Sequence, residues 1–297
     1  MRIAITGSSG LIGTALCRSL ETDGHDVLRI VRSADGPGRT HWDIDAGRMD
    51  AAALEGLDGV VHLAGEGIAE KRWSDDQKRK IRESRERSTT LLARTLASLD
   101  TKPAVLVSGS GIDVYGDRGD EQLTETSDPG PPAFLTEVVL AWEAATGPAE
   151  AAGIRVVKIR SGLVLDGDGG ALPRMVTPAK LGLLGRIGSG KQWMSWITLT
   201  DEVRAIRFLL DHDVAGPVNL TAPAPVTNAV FTRALGRVLH RPTFLPVPKL
   251  GPRLLVGTEL AEVLLYESKR VLPEVLEEAG FRWEHDEIED ALEAVLS

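Results

Sequence analysis

The chain has 297 residues, 42% of them hydrophobic and 26% charged, the proportions of one large globular domain or two unequal ones, which excludes a disordered or fibrous class. Its longest apolar stretches, such as Val60-Val61 running to Gly65, fall far short of the roughly 18 residues a membrane helix requires, so neither a membrane span nor an export segment is expected. The 34 basic and 43 acidic residues give a net −9 that opposes general nucleic-acid binding, and the lone Cys17 excludes an internal disulfide; a reducing cytoplasm fits both.

Arg2–Ile5 is a short β-branched run, Thr6–Gly13 is rich in glycine, and Leu11, Ala15, Leu16 and Leu20 recur at helical spacing. Strand, loop and helix are expected in that order, with Gly24 ending the helix and His25–Val31 supplying the next strand. Cys17 falls on the apolar face of that helix and reads as a packing residue. Further strands are expected at Thr40–Asp43, Gly59–Leu63, Ala104–Ser108 and Arg155–Arg160, separated by helices at Met49–Leu54, Asp75–Leu99 and Ala133–Ala152. This alternation predicts an α/β fold with a Rossmann-type doubly wound parallel sheet.

Beyond Arg160 the rhythm changes. Glycines crowd Gly162–Gly190, followed by a helix Asp201–His212, a strand Pro217–Leu220, a helix Ala229–Leu239, a strand Thr243–Val247 and a helical tail from Leu250 broken at Pro273 and Gly280. Residues 1–165 are read as a dinucleotide-binding domain to which 200–225 contribute, and 166–297 as a smaller C-terminal α/β lobe over the substrate.

Gly7, Gly10 and Gly13 stand at G-x-x-G-x-x-G spacing between the first strand and its helix, where a tight turn brings backbone close to a pyrophosphate and the helix N-terminus faces it. A dinucleotide is expected on Gly7, Ser9, Gly10, Leu11, Ile12 and Gly13. The second strand ends in Arg32-Ser33 rather than in an acidic residue, so a ribose 2′-phosphate is expected on these two, which selects NADP(H) over NAD(H). The competing readings are a surface arginine at 32 and a role for Asp35. Leu63, Ala64 and Gly65 end the strand from Gly59 at the carboxyl edge of the sheet, where ligands of open α/β folds lie. His62, inside that strand, reads as a packed, hydrogen-bonded side chain.

Ser74 and Gln77 stand in capping-box spacing before the longest helical pattern. Residues 71–87 carry eight basic and four acidic side chains, which read as a solvated face. Ile81, Arg85, Ser88, Leu92 and Leu96 share one face, which turns Arg85 inward, where it needs an anionic partner: the cofactor or a structural carboxylate.

The glycine loop, the Leu63-Ala64-Gly65 turn, and Ser108-Gly109-Ser110 leading to Val114-Tyr115-Gly116 resemble the extended short-chain dehydrogenase/reductase superfamily of nucleotide-sugar epimerases and dehydratases. A closer resemblance is to its YfcH-like epimerase-family subgroup, through Ala64-Gly65-Glu66, Lys71-Arg72-Trp73, Trp142-Glu143, Arg160-Ser161-Gly162, Ile187–Gly190 and Trp196-Ile197. Leu245–Pro248 through Ala279–Phe281 resembles the small domain of unknown function carried by that subgroup, placed at about 245–297. The resemblance implies that Ser108 and Val164 join the cofactor site, that a small and possibly sugar-like molecule is the substrate, and that the chain is a monomer or a homodimer.

The superfamily pairs a catalytic tyrosine with a lysine four residues on. Here Phe134 and Val138 occupy those places. Ser110 matches the superfamily serine, Tyr115 is the remaining acid/base candidate, and Asp113 and Glu137 are carboxylates nearby. Two functions follow: an NADP(H)-dependent oxidoreductase or epimerase with an atypical site, or a catalytically disabled NADPH-binding sensor. Trp193 and Trp196 read either as a pocket wall or as core packing. Six scattered histidines show no metal-ligand spacing.

Overall fold

The computed structural model describes every residue except 34–35, 181–184, 244–246, 248–252 and 255. Its first half runs β1 (Arg2–Thr6), α1 (Leu11–Thr22), β2 (Asp26–Val31), β3 (Arg39–Asp43), β4 (Arg48–Met49), α2 (Ala51–Leu54), β5 (Gly59–His62), α3 (Asp75–Ser98), β6 (Val105–Gly109), β7 (Gln122–Leu123), α4 (Phe134–Ala144) and α5 (Gly147–Ala151). There follow β8 (Arg155–Ser161), β9 (Leu163–Leu165), α6 (Leu172–Lys180), β10 (Trp193–Met194), β11 (Trp196–Thr198), α7 (Leu199–Asp211), β12 (Gly216–Leu220), β13 (Val226–Thr227), α8 (Asn228–Val238) and β14 (Arg270–Val271). Short helices at Glu274–Glu278 and Ile288–Leu296 complete the chain.

Side-chain alternation explains the layers. Ile3, Ile5, Val61, Val105 and Val107 point to one face of the sheet, where Leu16 and Leu20 of α1 and Ile206 and Leu209 of α7 cover them. Ala4, Val60, Leu106 and Val156 point to the other, under Leu92 and Leu96 of α3 and Ala149 of α5. The sheet order is β12-β8-β6-β5-β1-β2-β3-β4, parallel except for the two-residue β4, so the strand order reverses between β1 and β5. A smaller apolar cluster of Leu172, Trp196, Phe231 and Leu292 lies under α6, α8 and the last helix. None of the described helices is long and apolar enough to cross a membrane.

Several local expectations change. The helix expected over Ala133–Ala152 splits at Thr146-Gly147-Pro148, because Pro148 has no N–H to donate to the Ala144 carbonyl; the Thr146 hydroxyl bonds the Glu143 carbonyl beside the break. Met49 belongs to β4 opposite Trp42, and Asp50 caps a shorter α2. Ser74 caps α3, but Gln77 reaches Glu66 instead of closing the reciprocal half of a capping box. Of the strand expected at Thr243–Val247, residues 244–246 lie outside the described residues and Val247 forms a single bridge to Ile187. The C-terminal tail is not purely helical: β14 pairs in parallel with β7.

Candidate functional site

The carboxyl ends of β1, β2 and β5 border a cleft of about 630 Å³, lined by Gly7, Ser8, Ser9 and Gly10, by Leu63, Ala64 and Gly65, and by Arg29, Arg32, Ser33 and Arg39. Gly7 has φ 67°, and a Cβ there would sit 2.7 Å from the Leu63 carbonyl carbon. A Cβ at Gly13 would sit 2.2 Å from the Gly7 oxygen, so any side chain at 13 would force α1 away from the loop. Gly10 begins α1 and no side chain caps it, which leaves the positive helix end facing the cleft. The Ile12 side chain packs against the core face of the sheet. Leu11 lies against Gly169 and Gly170, and Gly170 in turn approaches the Val164 carbonyl.

At the far end Arg29 is ion-paired to Glu21 at 2.6 Å. The Arg32 and Arg39 side chains are exposed and have no hydrogen-bond or ion-pair partner among the described residues. Arg39 and Arg29, directly opposite in the β2–β3 register, escaped the sequence reading because an arginine inside an apolar strand carries no loop signal. Asp35 lies outside the described residues.

Beneath the cleft, His62 is fully buried, bonded through Nδ1 to Thr6 Oγ1 at 2.7 Å and through Nε2 to Thr89 Oγ1 at 2.9 Å. Burial, and secondarily the Arg85 charge, bring its pKa down to about 3, so it is neutral and structural. Thr6 Oγ1 also accepts from the Leu63 and Ala64 N–H groups, which fixes the turn that lines the cleft. Arg85 is turned inward, 7% exposed, and its contacts within the chain are not the structural carboxylate that was one of its two anticipated partners. It donates to the Glu66 and Ile81 carbonyls at 3.0 Å and stacks 4.9 Å from the Trp142 ring, and no carboxylate among the described residues pairs with it. Burial brings its pKa down to about 10, and Gly65 lacks the Cβ that would approach the guanidinium to 3.2 Å.

Ser108 is buried inside β6 with its hydroxyl on the Gly109 carbonyl at 3.4 Å. Ser110, just past the strand, is half-buried and donates to Glu143 Oε1 at 2.6 Å. Glu143 is gripped by Arg160, Nε to Oε1 at 2.8 Å and Nη2 to Oε2 at 3.0 Å. Tyr115 is not in a mobile loop: it is fully buried, donates to Asn219 Oδ1 at 2.8 Å and accepts from Arg160 Nη1 at 2.9 Å. Burial raises its pKa, so the expectation that it swings toward a carbonyl fails on packing and on hydrogen bonding. Glu137 faces outward to Arg82 at 2.9 Å.

No lysine was legible near Ser110, yet Lys269 arrives from the distant C-terminal segment beside β14. Its ammonium is buried between Asp113 at 3.0 Å and Glu267 at 2.5 Å. Burial alone would lower its pKa, but the two carboxylates outweigh that and raise it. Trp196 is fully buried core with Nε1 on the Ala224 carbonyl, whereas Trp193 is half-buried and bonds Asp120. Cys17 is buried, and its thiol pKa is raised by that burial.

A doubly wound parallel sheet with a glycine turn at the reversal of strand order defines the class of Rossmann-type α/β proteins. The model of the NAD dependent epimerase/dehydratase family matches residues 3–221, and the chain belongs to that family. A domain of unknown function, DUF1731, matches residues 247–295. The Mycobacterium bovis epimerase family protein Mb2239 is 44% identical over 292 residues, 98% of this chain and 96% of the relative. Among solved structures, human epimerase family protein SDR39U1, determined with NADPH, superposes with TM-score 0.91 at 33% identity over 100% of this chain and 99% of the other. The nucleoside-diphosphate sugar epimerase from Corynebacterium glutamicum gives TM-score 0.82 at 38% identity, covering 100% of this chain and 58% of the other.

Proposed function

We propose that the chain is an NADP(H)-dependent oxidoreductase or epimerase acting on a small hydroxyl- or carbonyl-bearing substrate. The observation that carries this reading is the cleft itself, which joins a helix N-terminus without a side-chain cap to two exposed guanidinium groups that have no partner among the described residues. The glycine turn suits a pyrophosphate, because side chains at 7 and 13 would fill its cradle. Gly7, Ser9, Gly10, Leu11, Ile12 and Gly13 would hold it, mostly through backbone N–H. Arg32 and Ser33, joined by Arg39, would take the 2′-phosphate through charge-assisted bonds. Leu63, Ala64 and Gly65 form the floor. Arg85, a buried cation bonded to backbone carbonyls, adds positive potential behind Gly65, and Val164 closes the side near Leu11. The NADPH in the human relative's structure supports the same choice.

Bound there, the dinucleotide supplies hydride exchange at its nicotinamide ring. Ser110 contacts the substrate oxygen, Glu143 and Arg160 hold Ser110, and the lobe of residues 166–297 covers the substrate. The acidic composition and single cysteine suit the cytoplasm. Titration calorimetry with NADPH and NADH tests the cofactor: tight NADPH binding that Arg32→Asp weakens without harming NADH is expected, and no heat with either sinks the reading. A sensor that binds NADPH without chemistry is the second reading, favoured by the locked Tyr115 and by Phe134 and Val138. Single-turnover NADPH oxidation against sugar nucleotides and simple carbonyl compounds separates the two.

A further inference from the structure

The polar chain at the end of β6 has one consistent set of proton positions. A guanidinium has five donors and no acceptor, so Arg160 is the donor to the Tyr115 oxygen. Tyr115 then spends its single proton on Asn219 Oδ1, and Asn219 Nδ2 donates onward to the Leu272 carbonyl at 2.9 Å. At the other end Arg160 donates to both Glu143 oxygens, and a carboxylate held in that fork only accepts. The bond between Ser110 and Glu143 is therefore donated by Ser110. This leaves Ser110 Oγ with lone pairs and no free proton to offer a ligand.

We infer that Ser110 is an acceptor-only contact, so that the substrate is bound through a hydroxyl group rather than through a carbonyl. The inference rests on the proposed reaction and narrows its substrate to the alcohol form. A carbonyl oxygen brought to Ser110 would meet lone pair with lone pair, and Tyr115, linked to Ser110 through Arg160 and Glu143, has already given its proton to Asn219. Glu143 is the positioning residue: it touches no substrate, but its claim on the Ser110 proton sets the polarity of the contact. Asn219, in β12, anchors the far end of the chain and ties that polarity to the C-terminal segment at Leu272.

The test uses the cofactor-free full chain labelled with ¹⁵N, titrated with matched alcohol–ketone pairs, cyclohexanol with cyclohexanone and cyclopentanol with cyclopentanone. The amide shifts of Ser110 and Gly111 report binding. The alcohol of each pair is expected to half-saturate at about 10-fold lower concentration, the equivalent of one hydrogen bond. Ser110→Ala, which leaves the Glu143–Arg160 pair intact, should abolish the preference, and Glu143→Gln should shrink it, whereas Glu137→Gln on the outer face of α4 should leave it unchanged. Equal or better binding of the ketones, a preference that survives in Ser110→Ala, or amides silent to both members overturns the inference. Calorimetry of the same preparation with NADPH is scored separately: its failure overturns the cofactor reading, and its success beside a ketone preference overturns this inference alone.

Discussion

At the β2–β3 end of the cleft the exposed Arg32 and Arg39 side chains have no partner among the described residues, whereas past the end of β6 Arg160, Glu143, Tyr115 and Asn219 are enclosed and bonded to one another. An exposed unpaired cation costs the fold little and keeps its attraction for a ligand phosphate. A buried charge has lost its water, and only its partner makes it tolerable. Substitutions at the first end should therefore act on binding and leave stability alone, and those at the second should act on stability first.

The largest expected effect is Arg160→Met, which strands the Glu143 carboxylate in a site where the two side chains are 8% and 11% exposed. Breaking such a pair costs about 3–5 kcal/mol. A drop in unfolding free energy below about 1 kcal/mol in urea would show that water enters the network and would remove the contrast between the two ends. Next comes Arg32→Asp, expected to weaken NADPH about 100-fold by calorimetry while unfolding stays within about 0.5 kcal/mol of the unaltered chain.

Two buried titratable groups sharpen the comparison through pH. Glu202, on α7, is fully buried, accepts a bond from Ser161 and has its other oxygen buried without a partner; burial raises its pKa from 4.5 to about 8. The folded chain thus holds a proton that the unfolded chain releases, so stability falls as pH rises from 4.5 to about 8 and is flat beyond. Glu202→Gln should match the unaltered chain near pH 4 and exceed it by a margin that grows until about pH 8, read by thermal unfolding at each pH. His62 works in the opposite sense: with its pKa lowered from 6.5 to about 3, stability is complete above 6.5 and is lost as pH falls through that window. Replacing His62 with Gln should flatten the acid limb, and an acid limb unchanged in the variant would assign it to carboxylates instead. The smallest effect belongs to the exposed Arg82–Glu137 pair, where alanine at either position should change stability by less than about 0.5 kcal/mol.

Much of the scaffold was legible in the residues. Ile3, Ala4 and Ile5 announce a strand covered on both faces, and Ile81, Arg85, Leu92 and Leu96 announce the buried stripe of α3, including the inward arginine. What replaced an anionic partner for Arg85 was not legible, because backbone carbonyls and the face of Trp142 leave no charge pattern in the sequence. The break between α4 and α5 was underestimated although Gly147-Pro148 signals it, since the apolar periodicity continues across the break. Lys269 gave no signal at all: only the pairing of β14 with β7 carries it to Asp113.

From the order of residues alone came the βαβ rhythm, the glycine turn after the first strand and the arginine at the end of the second. These are short-range properties, in which the spacing of apolar side chains and the tolerance of glycine for a tight turn act within a few positions. The proton order around Ser110 and the sealing of Tyr115 were settled only when β6, β8 and β12 came to lie near one another. Those bonds join residues 33, 45 and 104 positions apart, and the direction of each hydrogen is dictated by a guanidinium whose neighbours are chosen by sheet topology.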